Sequence, residues 1–226
     1  MRETIGEDAF GIVQVALHLC IGWPAYILWG ATGGPKYGAT NHFWPYAPFN
    51  NGEAELFPDS QKLKVLISDL GIFVMFAILH YSAKASSWTS VFLIYGLPYL
   101  FVNMWLVLYT WLQHTDVDVP HFDSKEFTWA KGAFHTIDRP YSPLINFLHH
   151  NIGSTHVAHH VNSSIPHYHA KEVTNLLRNK YPDLCLFDPT PIVEATFRIA
   201  TNCVSVKKIP EKDGMYVFDL KKAKTN

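Results

Sequence analysis

Residues 91–115, VFLIYGLPYLFVNMWLVLYTWLQHT, decide how the chain is read. The first 22, Val91 to Leu112, carry no charge. At about 1.5 Å of rise per residue, a helix of that length crosses a hydrocarbon core about 30 Å thick. Gly96 and Pro98 lie inside the run, and a bilayer helix tolerates such kinks. Asn103, Val107, Thr110 and His114 follow helical spacing and share a face. A polar stripe on a membrane helix is expected to face protein or a cavity, not lipid. The stripe ends at Gln113-His114-Thr115-Asp116, where the apolar run stops. His114 is therefore either delivered to a polar site beyond the membrane or is a surface histidine at a helix end.

Upstream, Val65 to Tyr81 is a second apolar stretch, separated from the first only by Ser82 to Ser87 and the start of the next run. Segments 65–81 and 91–112 thus read as a helical hairpin, with Trp88, Tyr95, Tyr99, Trp105, Tyr109 and Trp111 as interface anchors or packing surface. A buried hairpin in a soluble protein is the alternative, and the length of the later segment favours a membrane. A further apolar stretch, 9–31, is interrupted by Gln14, His18 and Gly22-Trp23-Pro24, so it reads as an interfacial or re-entrant helix as readily as a crossing. Residues 32–58, rich in Gly, Pro, Asn and aromatics, read as an ordered loop near a membrane surface, with His42 a structural residue in it.

Composition agrees. Of 226 residues, 48% are hydrophobic, 15% aromatic and only 16% charged, which is apolar for a soluble protein. The net charge of −1 and the lack of a basic stripe exclude a nucleic-acid partner. Cys20, Cys185 and Cys203 form no C-x-x-C pair, so neither a disulfide framework nor a thiolate zinc site is expected, and a reducing compartment is. Arg2 to Asp8 provide no positive lead into an apolar run, so no secretory signal peptide is expected.

Residues 113–226 are polar and hold ten of the thirteen histidines. Three stand in His156-Val157-Ala158-His159-His160. In a helix, positions i, i+3 and i+4 lie on one side, so His156, His159 and His160 are expected to aim three imidazoles at one metal ion. A polar surface helix that carries histidines by chance is the bland alternative. Gly153 allows a turn ahead of the box, Ser154 and Thr155 are helix-entry residues that signal its start, and Pro166 is expected to close it. Most of His121, His135, His149, His150, His167 and His169 are expected to surround the ligands or to form polar surface. Asn162-Ser163-Ser164 matches a glycosylation sequon but abuts the box, so it is discounted. Lys171 to Lys180 reads as an amphipathic helix, a helix follows Thr190, and Cys203–Lys207 and Met215–Leu220 read as strands with a turn at Asp213-Gly214. Lys221 to Lys224 reads as a solvated end. Histidine ligands without cysteine disfavour structural zinc and suit iron with open positions for oxygen.

Thr155 to His160, followed by Ile165-Pro166-His167-Tyr168-His169-Ala170, resembles the third histidine box of membrane-bound acyl-lipid fatty acid desaturases. Gly22-Trp23-Pro24, Tyr95-Gly96-Leu97-Pro98, Leu112-Gln113-His114-Thr115 and His149-His150 extend the resemblance and bring it closest to the Δ12 and ω-3 group. The resemblance implies a mainly α, integral membrane protein whose box region forms a cap on the cytosolic face of the endoplasmic reticulum. It implies a non-haem di-iron site that uses O2, an acyl-lipid substrate of 18 carbons, and cytochrome b5 as electron donor. It assigns His156, His159, His160 and His114 as iron ligands; His149 and His150, and Asn103 and Thr110 from the polar stripe, are expected as second-layer or possible site residues. The family's first two boxes have no counterpart, because His18, His42 and His80 each lack another histidine within four residues. The chain is therefore read as the C-terminal portion of a desaturase. Two other readings are a catalytically incompetent membrane protein that binds metal or partners a full-length desaturase, and a hydroxylase or acetylenase on the same scaffold.

Overall fold

A computed structural model describes residues 2–30, 40, 41, 43, 56–210 and 212–220. The chain is mainly helical and divides into two units, residues 17–107 and residues 1–16 with 108–226. His42, most of the 32–58 loop and Lys221 to Lys224 lie outside the described residues.

Helices α1 (Arg2–Ile5) and α2 (Glu7–Leu17) come first, and a π turn at His18–Gly22 leads directly into α3 (Trp23–Trp29). Next come α4 (Lys62–Ala85) and α5 (Trp88–Val91), then a second π turn at Phe92–Gly96 that continues into α6 (Leu97–Leu112). Both π turns end at the glycine of a Gly-x-Pro step, Gly22-Trp23-Pro24 and Gly96-Leu97-Pro98. Proline lacks an N–H and its ring crowds the carbonyl four residues back. One extra residue in the turn moves that carbonyl aside, so the helix runs on instead of breaking.

Three runs, Glu7–Trp29, Asp59–Ala85 and Trp88–Leu112, are long and apolar enough to cross a membrane. On α4 most apolar side chains from Leu63 to Tyr81 are exposed, Val65, Ile72, Met75 and Leu79 are half-buried, and Ala83 is its one buried residue. A long helix with so much apolar surface left uncovered is suited to lipid. α4 and the α5–α6 run extend beyond segments 65–81 and 91–112, because hydropathy marks only their apolar centres. Lys62, Lys64 and Lys84 join α4 at its ends, and the Ser87 hydroxyl caps α5 by accepting from Ser90 N at 3.1 Å.

The unit of residues 1–16 and 108–226 holds α7 (Trp129–Phe134), α8 (Pro143–Leu148), α9 (His156–Val161), α10 (His167–Lys180) and α11 (Ile192–Asn202). Its strands are β1 (His121–Phe122), β2 (Ile137–Asp138), β3 (Leu186–Phe187), β4 (Val206–Lys208) and β5 (Met215–Phe218). β4 and β5 form the expected antiparallel hairpin, with Gly214 at a φ of +71°, and β1 adds to β5 as a third strand. β2 pairs in parallel with β3. Leu112, Val157, Ala158, Ala195 and Ile199 are core residues. Gly11 of α2 fits closely on α11, where a Cβ would stand 2.7 Å from the Thr201 methyl.

A buried ion network ties this unit together. Arg139, fully buried, pairs with Asp116 at 2.7 Å and with Asp188, and Arg198 pairs with both aspartates at 2.6 Å. Removing one partner strands the others without water. Arg139→Ala is therefore expected to cost on the order of 3 kcal/mol, read as a drop in thermal midpoint in detergent. Partial burial opposes ionisation of Asp188, but the hydroxyl and amide of Thr190 and the Arg198 guanidinium outweigh it and hold the carboxyl well below the usual carboxylate range. A depressed carboxylate stabilises the fold above its unfolded pKa, so this contribution should be intact at neutral pH and lost as pH falls below about 4.

Candidate metal centre

α6 ends at Leu112, and two residues later its chain presents His114. The box helix α9 presents His156 and, one turn on, His160. The Nε2 atoms of His156 and His114 are 3.1 Å apart, and those of His160 and His156 are 3.0 Å apart. Ligand nitrogens of all three lie within 4.8 Å of one another. Adjacent nitrogens bonded at about 2.1 Å to an octahedral ion stand about 3.0 Å apart, which matches the two short separations. Hydrogen bonding alone serves the arrangement poorly. A ring nitrogen either carries the proton or offers the lone pair, so His156 Nε2 cannot donate to one neighbour and accept from the other. One cation can accept all three lone pairs, and the residues fit a metal.

The electrostatics agree. Burial, followed by the neighbouring histidines, pushes His156 down to about 2 and His160 down to about 4. Burial and then His159 lower His114. All three imidazoles are thus neutral near pH 7, the form that binds metal.

The other expected residues stand elsewhere. His159 is exposed and outside the triad, its ring centre 5.8 Å from that of His156. Its neighbour His160 is displaced about 100° around the helix axis, so i and i+4 converge while i+3 turns aside. The expectation that all three box histidines meet at one point is corrected: His114 takes the third place. His149 Nδ1 lies 2.5 Å from the Tyr109 hydroxyl, and the His150 ring lies tilted against that of His167 with ring centres 4.5 Å apart. Asn103 is buried, and its Nδ2 has no hydrogen-bond partner among the described residues, while Thr110 lies in the last turns of α6. His135 contacts the Lys131 carbonyl at 2.7 Å, and His121 packs on Phe218.

The box helix starts where Ser154 and Thr155 signal an entry, with Thr155 at its N-cap position, but neither hydroxyl caps it. The hydroxyls of Ser154 and Thr155 donate back to the Asn151 carbonyl at 3.2 and 2.9 Å and leave α9 uncapped from its own sequence. The Asp138 carboxylate, from β2, accepts the Val157 N–H at 2.9 Å instead. Pro166 does not close α9, which ends at Val161; it precedes and opens α10, where its fixed φ suits a helix entry. Asp138 and Arg139 were missed because a lone Asp-Arg pair carries no periodic or spacing signal.

The family model described as "Fatty acid desaturase" matches residues 21–189, which include His114, His156 and His160. The chain belongs to the fatty acid desaturase family. Among curated relatives it is 39% identical to the Delta(12)-fatty-acid desaturase of Arabidopsis thaliana over 212 residues, 93% of this chain and 53% of that protein. It is 40% identical to the endoplasmic reticulum omega-6 fatty acid desaturase of Brassica juncea over 212 residues, 92% and 53% of the two chains. It is 37% identical to the oleoyl-12-hydroxylase of Ricinus communis over 196 residues, 87% and 49%. The chain spans about half the length of the curated relatives it matches. No solved structure matches it.

For this desaturase-family chain the triad makes a direct prediction. His156→Ala, which removes the nitrogen common to both short separations, should abolish stoichiometric metal in the purified protein. His159→Ala should leave the triad's ion in place, as read by elemental analysis.

Proposed function

We propose that the chain forms part of an acyl-lipid desaturase that introduces a cis double bond, at the Δ12 or ω-3 position, into an 18-carbon acyl chain. One observation carries this reading: three neutral imidazoles converge just past the end of a long apolar helix in a fatty acid desaturase family chain. A bound non-haem di-iron pair, with O2, supplies the oxidising power to remove two hydrogens from an unactivated CH2–CH2 pair. His114, His156 and His160 would hold one iron, and His159, turned around the same helix, is assigned to the other, with further donors beyond these four. The chain's part is to hold these nitrogens neutral and convergent beside the bilayer, so that a lipid-bound acyl chain need not leave the membrane to meet them.

The proposed topology has α4 and the α5–α6 run as an antiparallel pair crossing the endoplasmic reticulum membrane, with 9–31 interfacial or re-entrant. Two crossings put 113–226 on the same face as the chain ahead of α4, and we assign that face to the cytosol, within reach of cytochrome b5 as electron donor. The similarity to the Ricinus communis hydroxylase supports a second reading, hydroxylation on the same scaffold.

The test joins this chain to the part of the Arabidopsis thaliana relative that the match leaves uncovered and expresses it in a host that makes only monoenoic acids. Dienoic or trienoic acids are expected by mass spectrometry, and none with His156→Ala. Hydroxy acids instead would select the second reading. Neither product, with the protein present and iron-loaded, would overturn both and favour a non-catalytic metal-binding protein.

A further inference from the structure

We propose that Asp138 is the positioning residue that sets where His156 and His160 stand relative to His114. This rests on the metal reading of the triad and goes beyond it. A metal-binding imidazole is ordinarily oriented through its second ring nitrogen. His156 lacks that hold, because its Nδ1 is buried with no hydrogen-bond partner among the described residues. Its orientation must come through the backbone.

Asp138 supplies the backbone hold. Its Oδ1 accepts the Val157 N–H, in the first turn of α9, at 2.9 Å. Its Oδ2 accepts from Arg178 at 2.8 Å, whose guanidinium lies 4.4 Å from the Phe187 ring centre. Asp138 is fully buried and is itself fixed by pairing with Phe187 across β2 and β3. The preceding residue reaches the other half of the site: Ile137 N donates at 2.9 Å to the carbonyl of Gln113, next to His114. Two consecutive residues therefore link the chain beside His114 to the first turn of the box helix. Turning α9 by one residue, about 100°, would carry His156 and His160 away from His114. Holding the Val157 amide in the first turn of α9 opposes that rotation.

The test uses the full chain in detergent with cobalt(II) as the probe. Asp138→Ala should weaken cobalt(II) binding about 10- to 100-fold and alter its ligand-field spectrum. Asp138→Asn, whose amide oxygen can still accept from Val157, should restore most of the affinity. Hydrogen exchange without metal should be faster across 156–161 in Asp138→Ala and close to unaltered in Asp138→Asn. If Asp138→Ala does not fold, Asp138→Ser takes its place, with a graded loss supporting the role. Unchanged affinity and exchange in a folded alanine or serine variant would overturn it, as would equal losses in Asn and Ala. If His156→Ala binds cobalt(II) like the unaltered chain, the metal reading falls instead, and the exchange measurement alone decides whether Asp138 holds the helix.

Discussion

The Arg139 guanidinium is fully buried and donates in three directions: Nε to the Leu112 carbonyl at 2.7 Å, Nη2 to Asp116, and Nη1 to Asp188. Its backbone N donates to the Gly153 carbonyl at 2.7 Å. A charge in the interior costs several kcal/mol unless every donor finds an acceptor. The end of α6, the loop after it and the residue that follows β3 must therefore close around this side chain together, while the segment before the box is held by the Arg139 backbone. Gly153 is required by that closeness, since a Cβ there would stand 2.7 Å from the Arg139 carbonyl and 2.5 Å from the Tyr141 ring.

From that constraint the site follows. Leu112 is the last residue of the apolar run and its carbonyl is one of those that a helix end leaves without an intrahelical partner. Arg139 satisfies it. Fixing that carbonyl fixes the exit of the chain from α6, and so the place of His114. The box lies 42 residues further on from His114 at His156, and it reaches the same point because Gly153 and Val157 are tied to the consecutive residues Arg139 and Asp138. The burial that makes this arrangement rigid also strips water from the imidazoles, which keeps them neutral and suited to a cation.

Periodicity and length made much of the fold legible. The apolar runs around 65–81 and 91–112, the helices after Pro166 and Thr190, and the β4–β5 hairpin each rest on a local signal of several residues. Strands of two residues carry no such signal, so β1, β2 and β3 had none. The Gly-x-Pro sites read as interruptions, because a sequence shows the missing donor but not the π turn that absorbs it. Pro166 opens α10, but a proline can as readily follow the end of a helix, and the sequence alone does not say which.

By itself, the sequence determined that long apolar helices lead to a histidine-rich polar region, that the box histidines recur at helical spacing, and that His114 stands at the end of a polar stripe. These are properties of residue type and spacing along one element. Tertiary structure decided that His114 joins His156 and His160 while His159 turns aside, and that Asp138 rather than Ser154 or Thr155 caps the box helix. It also decided that one buried arginine gathers both halves of the site. Each of these depends on the desolvation and pairing of groups far apart in the chain, which no local pattern encodes.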